Sequence, residues 1–270
     1  CVLFPGALGD FICFLPALET LARTAWVDLF ARGEFADLAP EGVVVGSLEH
    51  SEISALFRPQ SGDDREARRF FRCYGAVYSW FASGNREFVA RLGALTAGRA
   101  RVFPFRPARA AGHQADYYLG ALHPRSASPA QPAVALRGDA IRWCEEFWAR
   151  HSLQRRAVLV IAPGSGAREK NWPAEYFLAV IRWWHEATGG AALLLVGPVE
   201  KERGGIEPLL GGCCIVASDL TLSQAAALLG RSAVYLGNDS GISHLAAAVG
   251  VRTIAVFGPS DHRQWAPRGK

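Results

Sequence analysis

Strand-like apolar runs alternate with helical segments along this chain, and the alternation starts twice. The first half opens with VLFPGALGD at residues 2–10 and the second with VIAPGSGAREKNWP at residues 160–173, each an apolar run followed by a Pro-Gly turn. Parallel strands separated by helices form sheets that are covered on both faces. Between the two starts, PRSASPAQP at residues 124–132 has the composition of a linker. The pattern predicts two α/β domains with parallel sheets that face each other across a cleft.

Length and composition agree with two soluble domains, which we place at residues 1–130 and 131–270. A chain of 270 residues accommodates two domains of ordinary size, and its 50% hydrophobic and 20% charged residues are typical of globular proteins. No apolar run reaches the length that spans a membrane. The six cysteines form neither a CxxC pair nor a metal-ligand spacing, which indicates reduced thiols in a cytoplasmic protein.

The net charge of +4 is mild, and neither zinc-ligand spacing nor an aromatic RNA-binding motif accompanies it, so we expect no nucleic-acid partner. Arginines do cluster in two Phe-containing stretches of the first half. The clusters are Arg65, Arg68, Arg69 and Arg72, and Arg99, Arg101, Arg106 and Arg109. Either cluster alone is explained by a solvated face. Two clusters in the same half favour an anionic partner.

The stretch LGNDSGISHLAAAVG, from residue 236 to residue 250, places Asp239 where an apolar strand gives way to a small-residue helix. Ligands of open α/β sheets bind beyond the carboxyl ends of the strands, where helix N-termini present unpaired N–H groups. Asp239, Ser240, Gly241 and His244 therefore form a candidate cradle for an anion. Asp and Ser are also good helix caps, and a purely structural cap explains the same residues equally well.

The turn at the start of the second half is a second candidate site for phosphate. It matches neither GxGxxG nor GxxxxGK[ST], so the dinucleotide and P-loop fingerprints are absent. Its glycines permit a close approach of backbone to ligand. Gly164, Ser165 and Gly166 could donate hydrogen bonds, and Lys170 could add a charge. Lysine occurs at only three positions among 29 basic residues, which suggests that a compact point charge is needed at Lys170.

Asp10 is the candidate from the first half. It lies between a glycine turn and the apolar segment FICFLPAL. A lone carboxylate in such surroundings could be a general base. A helix N-cap is the structural alternative.

Three stretches resemble a known family. GALGDFICFLPAL, APGSGAREKNWP and GNDSGISHLAAAVGVRTIAVFGPSDHRQWAP are similar to the glycosyltransferase family 9 heptosyltransferases of bacterial lipopolysaccharide core synthesis. The third is the most specific, with a glycine, a short polar loop containing Asp and Gly, and then His-Leu-Ala-Ala. Residues 47–156 carry no motif of the family. The resemblance implies a GT-B fold, in which two Rossmann-like domains face each other across a cleft. The acceptor then binds the first domain and the nucleotide-sugar the second.

The resemblance also implies roles for individual residues. Asp10 corresponds to the catalytic base and Lys170 to the lysine that binds the donor phosphate. The remaining donor contacts are Ser165, Gly166, Asp239, Ser240, Gly241, His244 and Glu200, with Glu202 as an alternative to Glu200 as the ribose ligand. Candidate acceptor contacts are Gly9, Arg68, Arg69 and Arg72. Gly166 stands where many relatives carry a second hydroxyl. Relatives also continue well past a Trp-x-Pro such as residues 265–267, so we expect the second domain to be truncated.

The predicted function is an inverting, metal-independent transfer of a heptose, or a related sugar, from an ADP-sugar to a lipopolysaccharide core acceptor. The nucleotide-sugar is a substrate, and no cofactor or metal is expected, in agreement with the absence of an Asp-x-Asp motif. The acceptor is an anionic lipid-linked saccharide, so we expect a cytoplasmic protein with peripheral contact at the inner membrane. A sugar-nucleotide epimerase of similar fold is the alternative enzyme. A catalytically silent nucleotide-sugar binding protein is the alternative without chemistry.

Overall fold

The computed structural model describes residues 1–58, 64–107, 112–123, 128–211 and 214–269. Within these residues the strands form two five-stranded parallel sheets, one in each half of the chain, which confirms the predicted fold class. Arg109 of the second arginine cluster and residues 124–127 of the predicted linker lie outside the described residues. The domain boundary at residue 130 stays a prediction.

The first sheet has the strand order β3-β2-β1-β4-β5. Its strands are β1 (Val2–Leu3), β2 (Val27–Ala31), β3 (Val43–Ser47), β4 (Val77–Ser79) and β5 (Ala100–Val102). The helices of this half are α1 (Leu8–Ala22), α2 (Ser51–Ser54), α3 (Arg65–Arg72), α4 (Arg86–Leu95) and α5 (Gln114–Leu122). Short 3-10 turns occur at Gly33–Asp37 and Ala55–Phe57.

The second sheet has the order β10-β9-β6-β7-β8. Its strands are β6 (Val158–Ala162), β7 (Ala191–Val196), β8 (Ile215–Ser218), β9 (Val234–Asn238) and β10 (Arg252–Val256). Its helices are α6 (Gly138–Arg150), α7 (Ala174–Thr188), α8 (Pro198–Arg203), α9 (Leu222–Arg231), α10 (Gly241–Ala248) and α11 (His262–Trp265). Short 3-10 turns occur at Arg168–Lys170 and Glu207–Leu210.

The two Pro-Gly turns follow the strands at which the strand order reverses. β1 pairs with β2 on one side and with β4 on the other, and β6 pairs with β7 on one side and with β9 on the other. Connections leave such a strand toward opposite faces of the sheet and open a crevice at its carboxyl end. The motif repeated in the two halves of the sequence therefore marks the binding crevice of each sheet.

Helices α1 and α10 join the two domains. Residues 10–18 of α1 are buried, and so are residues 243–248 of α10. A helix that is apolar on every side is stable only when it is enclosed. Phe11 and Leu15 of α1 belong to the same buried cluster as Leu245 and Ala246 of α10. The core is therefore continuous across the two halves of the chain.

The segment after the predicted linker packs on α10 within the second domain, and a second segment crosses back to the first domain. Val134, just after the predicted linker, donates its N–H to the carbonyl of Ala248 at 3.0 Å. At the other end of the second domain, residues 261–269 leave the sheet and contact α5 of the first domain. We call residues 261–269 the return segment. Arg268 in this segment pairs with Asp116 of α5, with an N–O distance of 2.9 Å.

Among the helices formed by the described residues, none combines the length and the apolar character needed to cross a bilayer.

The contact between α1 and α10 leads to a first prediction. A Cβ atom on Gly241 would lie 2.7 Å from Cβ of Leu8 and 3.0 Å from the backbone nitrogen of Gly9. Gly241→Ala should therefore force the two helices apart, and overpacking of this kind typically costs about 1–3 kcal/mol. Urea unfolding monitored by circular dichroism measures the loss.

Gly120→Ala is the matched control, because Gly120 also lies in a helix but a Cβ there meets no atom within 4 Å. This variant should be neutral or up to about 1 kcal/mol more stable, since Ala favours the helix. If the two variants unfold at the same urea concentration, helices α1 and α10 do not approach each other as closely as described.

Candidate active site

The N-termini of α1 and α10 meet at the cleft between the domains. A Cβ on Gly241 would lie only 3.0 Å from the backbone nitrogen of Gly9, so this approach requires a glycine at position 241. The first N–H groups of a helix have no partner within the helix, and the helix dipole adds partial positive charge there. Both domains therefore direct unpaired N–H groups and positive potential into one place. This is the electrostatic environment of an anion site.

The residues before α10 leave these N–H groups available. Ser240 occupies the N-cap position but makes no side-chain hydrogen bond to the helix backbone, and its hydroxyl lies 3.2 Å from the Ser243 hydroxyl instead. The carboxylate of Asp239 turns away to form an ion pair with Lys170 at 2.7 Å. Neither side chain therefore caps α10, and the ligand role of this loop stays a prediction.

The pair between Asp239 and Lys170 is asymmetric in its surroundings. Asp239 is only 6% exposed, whereas the side chain of Lys170 retains 30% of its exposure. A buried carboxylate needs a partner, and the partially exposed ammonium still has donors to offer to a ligand. Asp239 thus holds Lys170 at the edge of the cleft, a role that the sequence did not assign to it.

Asn238, the fully buried residue before Asp239, ties the two donor loops together. Its Oδ1 accepts the N–H of Trp172 at 2.9 Å, and its Nδ2 donates to the carbonyl of Pro163 at 2.5 Å. In the same loop the Ser165 hydroxyl lies 2.7 Å from Oδ1 of Asn171, while Gly166 is exposed. Sequence reasoning missed Asn238, although a buried Asn at the end of a strand is a signal for loop anchoring.

Glu200 lies beside the Gly164 turn. One carboxylate oxygen accepts the N–H of Gly197 at 2.8 Å at the start of α8. The other packs so closely over Gly164 that a Cβ on this glycine would collide with it. Both residues line a cavity of about 330 Å³ that Arg168, Arg203 and Ile206 also border. Glu202, the alternative, is exposed on α8.

Asp10 occupies the third position of α1 and is 8% exposed. Its Oδ2 accepts the N–H of Ala7, the true N-cap residue, at 3.2 Å. The N-cap is therefore Ala7, three residues before Asp10. Asp10 lies in the first turn of the helix, and its carboxylate accepts the N–H of the N-cap residue. Its Oδ1 lies 2.6 Å from Nη1 of Arg106, but no N–H is aligned on that oxygen as in a hydrogen bond.

Arg106 is a site residue that sequence reasoning did not select. Its guanidinium carbon lies 4.7 Å from the ring centre of Phe105 and 4.3 Å from that of Trp265. The candidate acceptor contacts Arg68, Arg69 and Arg72 lie on the exposed face of α3 instead. The sequence indicated Arg106 only as a member of the second arginine cluster. A cluster in the sequence does not show which of its arginines points into the protein.

His244 lies between the two domains, 3% exposed, with its Nδ1 3.7 Å from the Sγ of Cys13. Its Cδ2 faces Gly9, where a Cβ would stand 3.1 Å away. Burial lowers the pKa of His244 to about 4, an effect that Asp239 opposes and that His113 and Lys170 reinforce. The imidazole is therefore neutral near pH 7 and carries a single N–H.

Among the described residues, no group of three or more His, Cys, Asp or Glu side chains is placed to hold a metal ion.

These features define a class of protein. Two Rossmann-like domains, each with a five-stranded parallel sheet, meet where the N-termini of α1 and α10 approach each other, as in GT-B proteins. Residues 126–270, more than half of the chain, match the family model described as glycosyltransferase family 9 (heptosyltransferase). The chain belongs to this family.

Similar proteins support both the family and the fold. Lipopolysaccharide heptosyltransferase 3 of Escherichia coli is 32% identical over 114 residues, which cover 40% of this chain and 33% of that protein. The chain matches between 33% and 39% of the length of its curated relatives.

Two solved structures share the GT-B fold. The glycosyl transferase family 9 protein of Veillonella parvula is 23% identical with a TM-score of 0.77, covering 98% of this chain and 82% of that one. ADP-heptose lps heptosyltransferase II of E. coli is 18% identical with a TM-score of 0.74, covering 99% and 88%.

The lowered pKa of His244 predicts a pH dependence of stability. In the unfolded chain His244 binds a proton near pH 6.5, whereas in the folded protein it does so only near pH 4. Acidification through this window therefore favours the unfolded state, and His244 should remove on the order of 2 kcal/mol between about pH 7.5 and pH 5. Urea unfolding at the two pH values measures the loss.

His244→Gln should show a smaller loss on acidification than the wild type. The exposed His123 provides the control, and His123→Gln should keep the full pH dependence. An unchanged pH dependence in His244→Gln would show that the imidazole is accessible to protons in the folded protein.

Proposed function

We propose that this protein is an inverting, metal-independent glycosyltransferase that moves a heptose, or a related sugar, from an ADP-sugar to a lipopolysaccharide core acceptor. The carrying observation is that Gly9, the neighbour of Asp10, contacts Gly241 where the N-termini of α1 and α10 meet. The Lys170–Asp239 pair lies in the loop that leads into α10. Family membership and the heptosyltransferase names of the relatives support the sugar.

The second domain supplies what a nucleotide diphosphate needs. Lys170, the unpaired N–H groups at Gly241 and the exposed turn at Gly166 offer charge and donors to the phosphates. Negative charge grows on the diphosphate as the bond to the sugar breaks, and donors already in place stabilise it without reorganisation. The name of the E. coli structure, which includes ADP-heptose, supports adenosine as the nucleoside.

The ribose is the natural ligand of Glu200. Its Oε1 packs on Gly164 at the wall of the cavity, while Oε2 is occupied by the N–H of Gly197. A carboxylate held by one oxygen in this way can accept hydrogen bonds from sugar hydroxyls with the other.

The first domain supplies the base. The acceptor hydroxyl loses a proton as it attacks the anomeric carbon, and Asp10 takes that proton as a general base. In direct displacement, the base and the leaving group act on opposite faces of the sugar. Asp10 and Lys170 belong to opposite walls of the cleft, which supports inversion.

The acceptor is proposed to be an anionic lipid-linked saccharide that reaches the cleft past Gly9. The exposed arginines of α3, Arg68, Arg69 and Arg72, offer charges for its phosphate or carboxylate groups and for the membrane surface. This arrangement corresponds to a cytoplasmic protein in peripheral contact with the inner membrane.

Product analysis with ADP-heptose tests the proposal. The purified protein should release ADP only when a lipopolysaccharide core acceptor is present, should form a product of inverted configuration, and should stay active in EDTA. Conversion of the nucleotide-sugar without acceptor would identify an epimerase instead. Donor binding without turnover under both conditions would identify a binding protein.

Replacement of the base gives the sharpest single test. Asp10→Asn preserves size and can still accept the N–H of Ala7, but it cannot take a proton. Turnover should fall by about two orders of magnitude or more, with donor affinity nearly unchanged. Steady-state kinetics with the donor measure turnover and the donor KM. Thermal unfolding shows whether the variant is folded.

Asp139→Asn is the control, because Asp139 also lies in the first turn of a helix but is exposed on α6. Its turnover should match the wild type. A fully active Asp10→Asn variant would remove Asp10 from the mechanism, and an unfolded one would reduce it to a structural residue.

Lys170 is predicted to act through its ammonium. Lys170→Ala should weaken donor binding by about 10- to 150-fold, since a hydrogen bond to a charged group is worth about 1.5–3 kcal/mol. Lys170→Arg should restore only part of this, because the planar guanidinium has a different reach. Calorimetric titration with ADP measures the affinity directly.

Lys201→Ala serves as the comparison, since Lys201 is an exposed lysine paired with exposed Asp219. It should bind ADP as the wild type does. Full affinity in Lys170→Arg would show that any positive charge at this position suffices.

A further inference from the structure

We propose that Trp265 is a positioning residue for Asp10 and acts through Arg106, so that the return segment, residues 261–269, completes the surroundings of the base. The inference rests on the proposed function for the role of Asp10. The contacts that carry it do not depend on that role.

The first observation is the stack around Arg106. Phe105 of the first domain and Trp265 of the return segment both lie within cation–π distance of the guanidinium, at 4.7 and 4.3 Å. The flat guanidinium of arginine stacks on aromatic faces while its N–H groups remain available in the plane. Arg106 can therefore be held by the two rings and still present Nη1 to Asp10.

The second observation is that Arg106 needs such support. Its side chain is 44% exposed, and an ion pair at this exposure contributes little by itself to holding a long flexible side chain in one rotamer. Asp10, by contrast, has a side chain that is only 10% exposed. Without the aromatic rings, the arginine could exchange Asp10 for water.

The third observation is that the chain immediately after Trp265 is fixed to the first domain. Nδ1 of His113 accepts the N–H of Ala115 at 3.2 Å, which leaves Nε2 to donate to the carbonyl of Ala266 at 2.8 Å. Two residues further on, Nη1 of Arg268 lies 2.9 Å from both carboxylate oxygens of Asp116. The position of the Trp265 ring is therefore set by α5, and not by α11 alone.

The consequence concerns the orientation of the carboxylate. Oδ2 of Asp10 is occupied by the N–H of Ala7, and Oδ1 faces Arg106 without an aligned donor. A guanidinium kept in place fixes the orientation of the buried Oδ1, the oxygen that we assign to take the proton of the acceptor hydroxyl. A mobile guanidinium would let the carboxylate rotate or would bind it through two N–H groups. Proximity and orientation of this kind contribute to kcat and not to donor binding.

Kinetics of Trp265 variants test the inference. Trp265→Leu should lower kcat about tenfold and change the donor KM by less than about twofold, because only the base is displaced. Trp265→Phe keeps an aromatic face and should recover most of kcat. Trp183→Leu is the control, since Trp183 is 59% exposed on α7, and it should leave both constants unchanged.

A double-mutant cycle with Arg106→Met shows whether Trp265 acts through the arginine. If it does, the variant with both changes should be no slower than Arg106→Met alone, within about twofold. Effects that multiply, an unchanged kcat in Trp265→Leu, or no recovery in Trp265→Phe would each overturn the proposal.

Two further measurements separate the possible failures. The same cycle followed by urea unfolding should also show coupling, and independent effects there would overturn the contact itself. If Trp265→Leu does not fold, Asp116→Asn loosens the return segment while Phe105, Arg106 and Trp265 keep their side chains, and it should lower kcat in the same direction; an unchanged kcat would overturn the proposal. A wild-type protein that transfers no sugar would instead refute the proposed function.

Discussion

The contact between Gly9 and Gly241 is the constraint on which the rest of the structure depends. A side chain at Gly241 would collide with Leu8 and Gly9 and separate helices α1 and α10, and with them the two domains. Because the helices approach so closely, their N-terminal N–H groups meet at one point, and the imidazole of His244 is enclosed beside Cys13. The cleft acquires positive potential from backbone groups of both domains. It needs few charged side chains of its own.

The charges that the cleft does contain are paired in ways that leave one partner available. Asp239 is buried and holds Lys170, and Asp10 is buried beside the more exposed Arg106. A buried carboxylate requires a partner, since an unpaired charge in the interior is costly. In both pairs the cation therefore has a defined position before any ligand arrives. Preorganised charges of this kind are worth most when charge develops in a transition state. The neutral His244 avoids adding a further cation to the same enclosed space.

The strand–turn–helix junctions of the candidate site were the part that the local sequence indicated most clearly. The strand–turn–helix junctions around Asp10, Lys170 and Asp239 are continuous stretches, so their residue types and their order indicate a loop at the carboxyl end of a strand. The two α/β domains followed from the alternation of apolar runs. The edge strands β5 and β8 gave weaker signals, because ARV and IVAS are short and border solvent on one side. The competing cap and ligand interpretations could not be separated, since Asp10 supports the helix start and faces the cleft at once.

The sequence by itself determined the fold class, the family and the loops from which the site is built, because these depend on hydrophobic periodicity and on glycines and polar residues at fixed local spacing. Only the tertiary structure decided which distant side chains complete those loops. Asn238 joins two loops of the second domain, Arg106 turns toward Asp10 while Arg68, Arg69 and Arg72 face solvent, and Trp265 returns from the second domain to cover Arg106. Contacts of this kind depend on how helices and sheets pack over long sequence separations. The residues next to each side chain in the sequence therefore do not predict which distant residue it will contact.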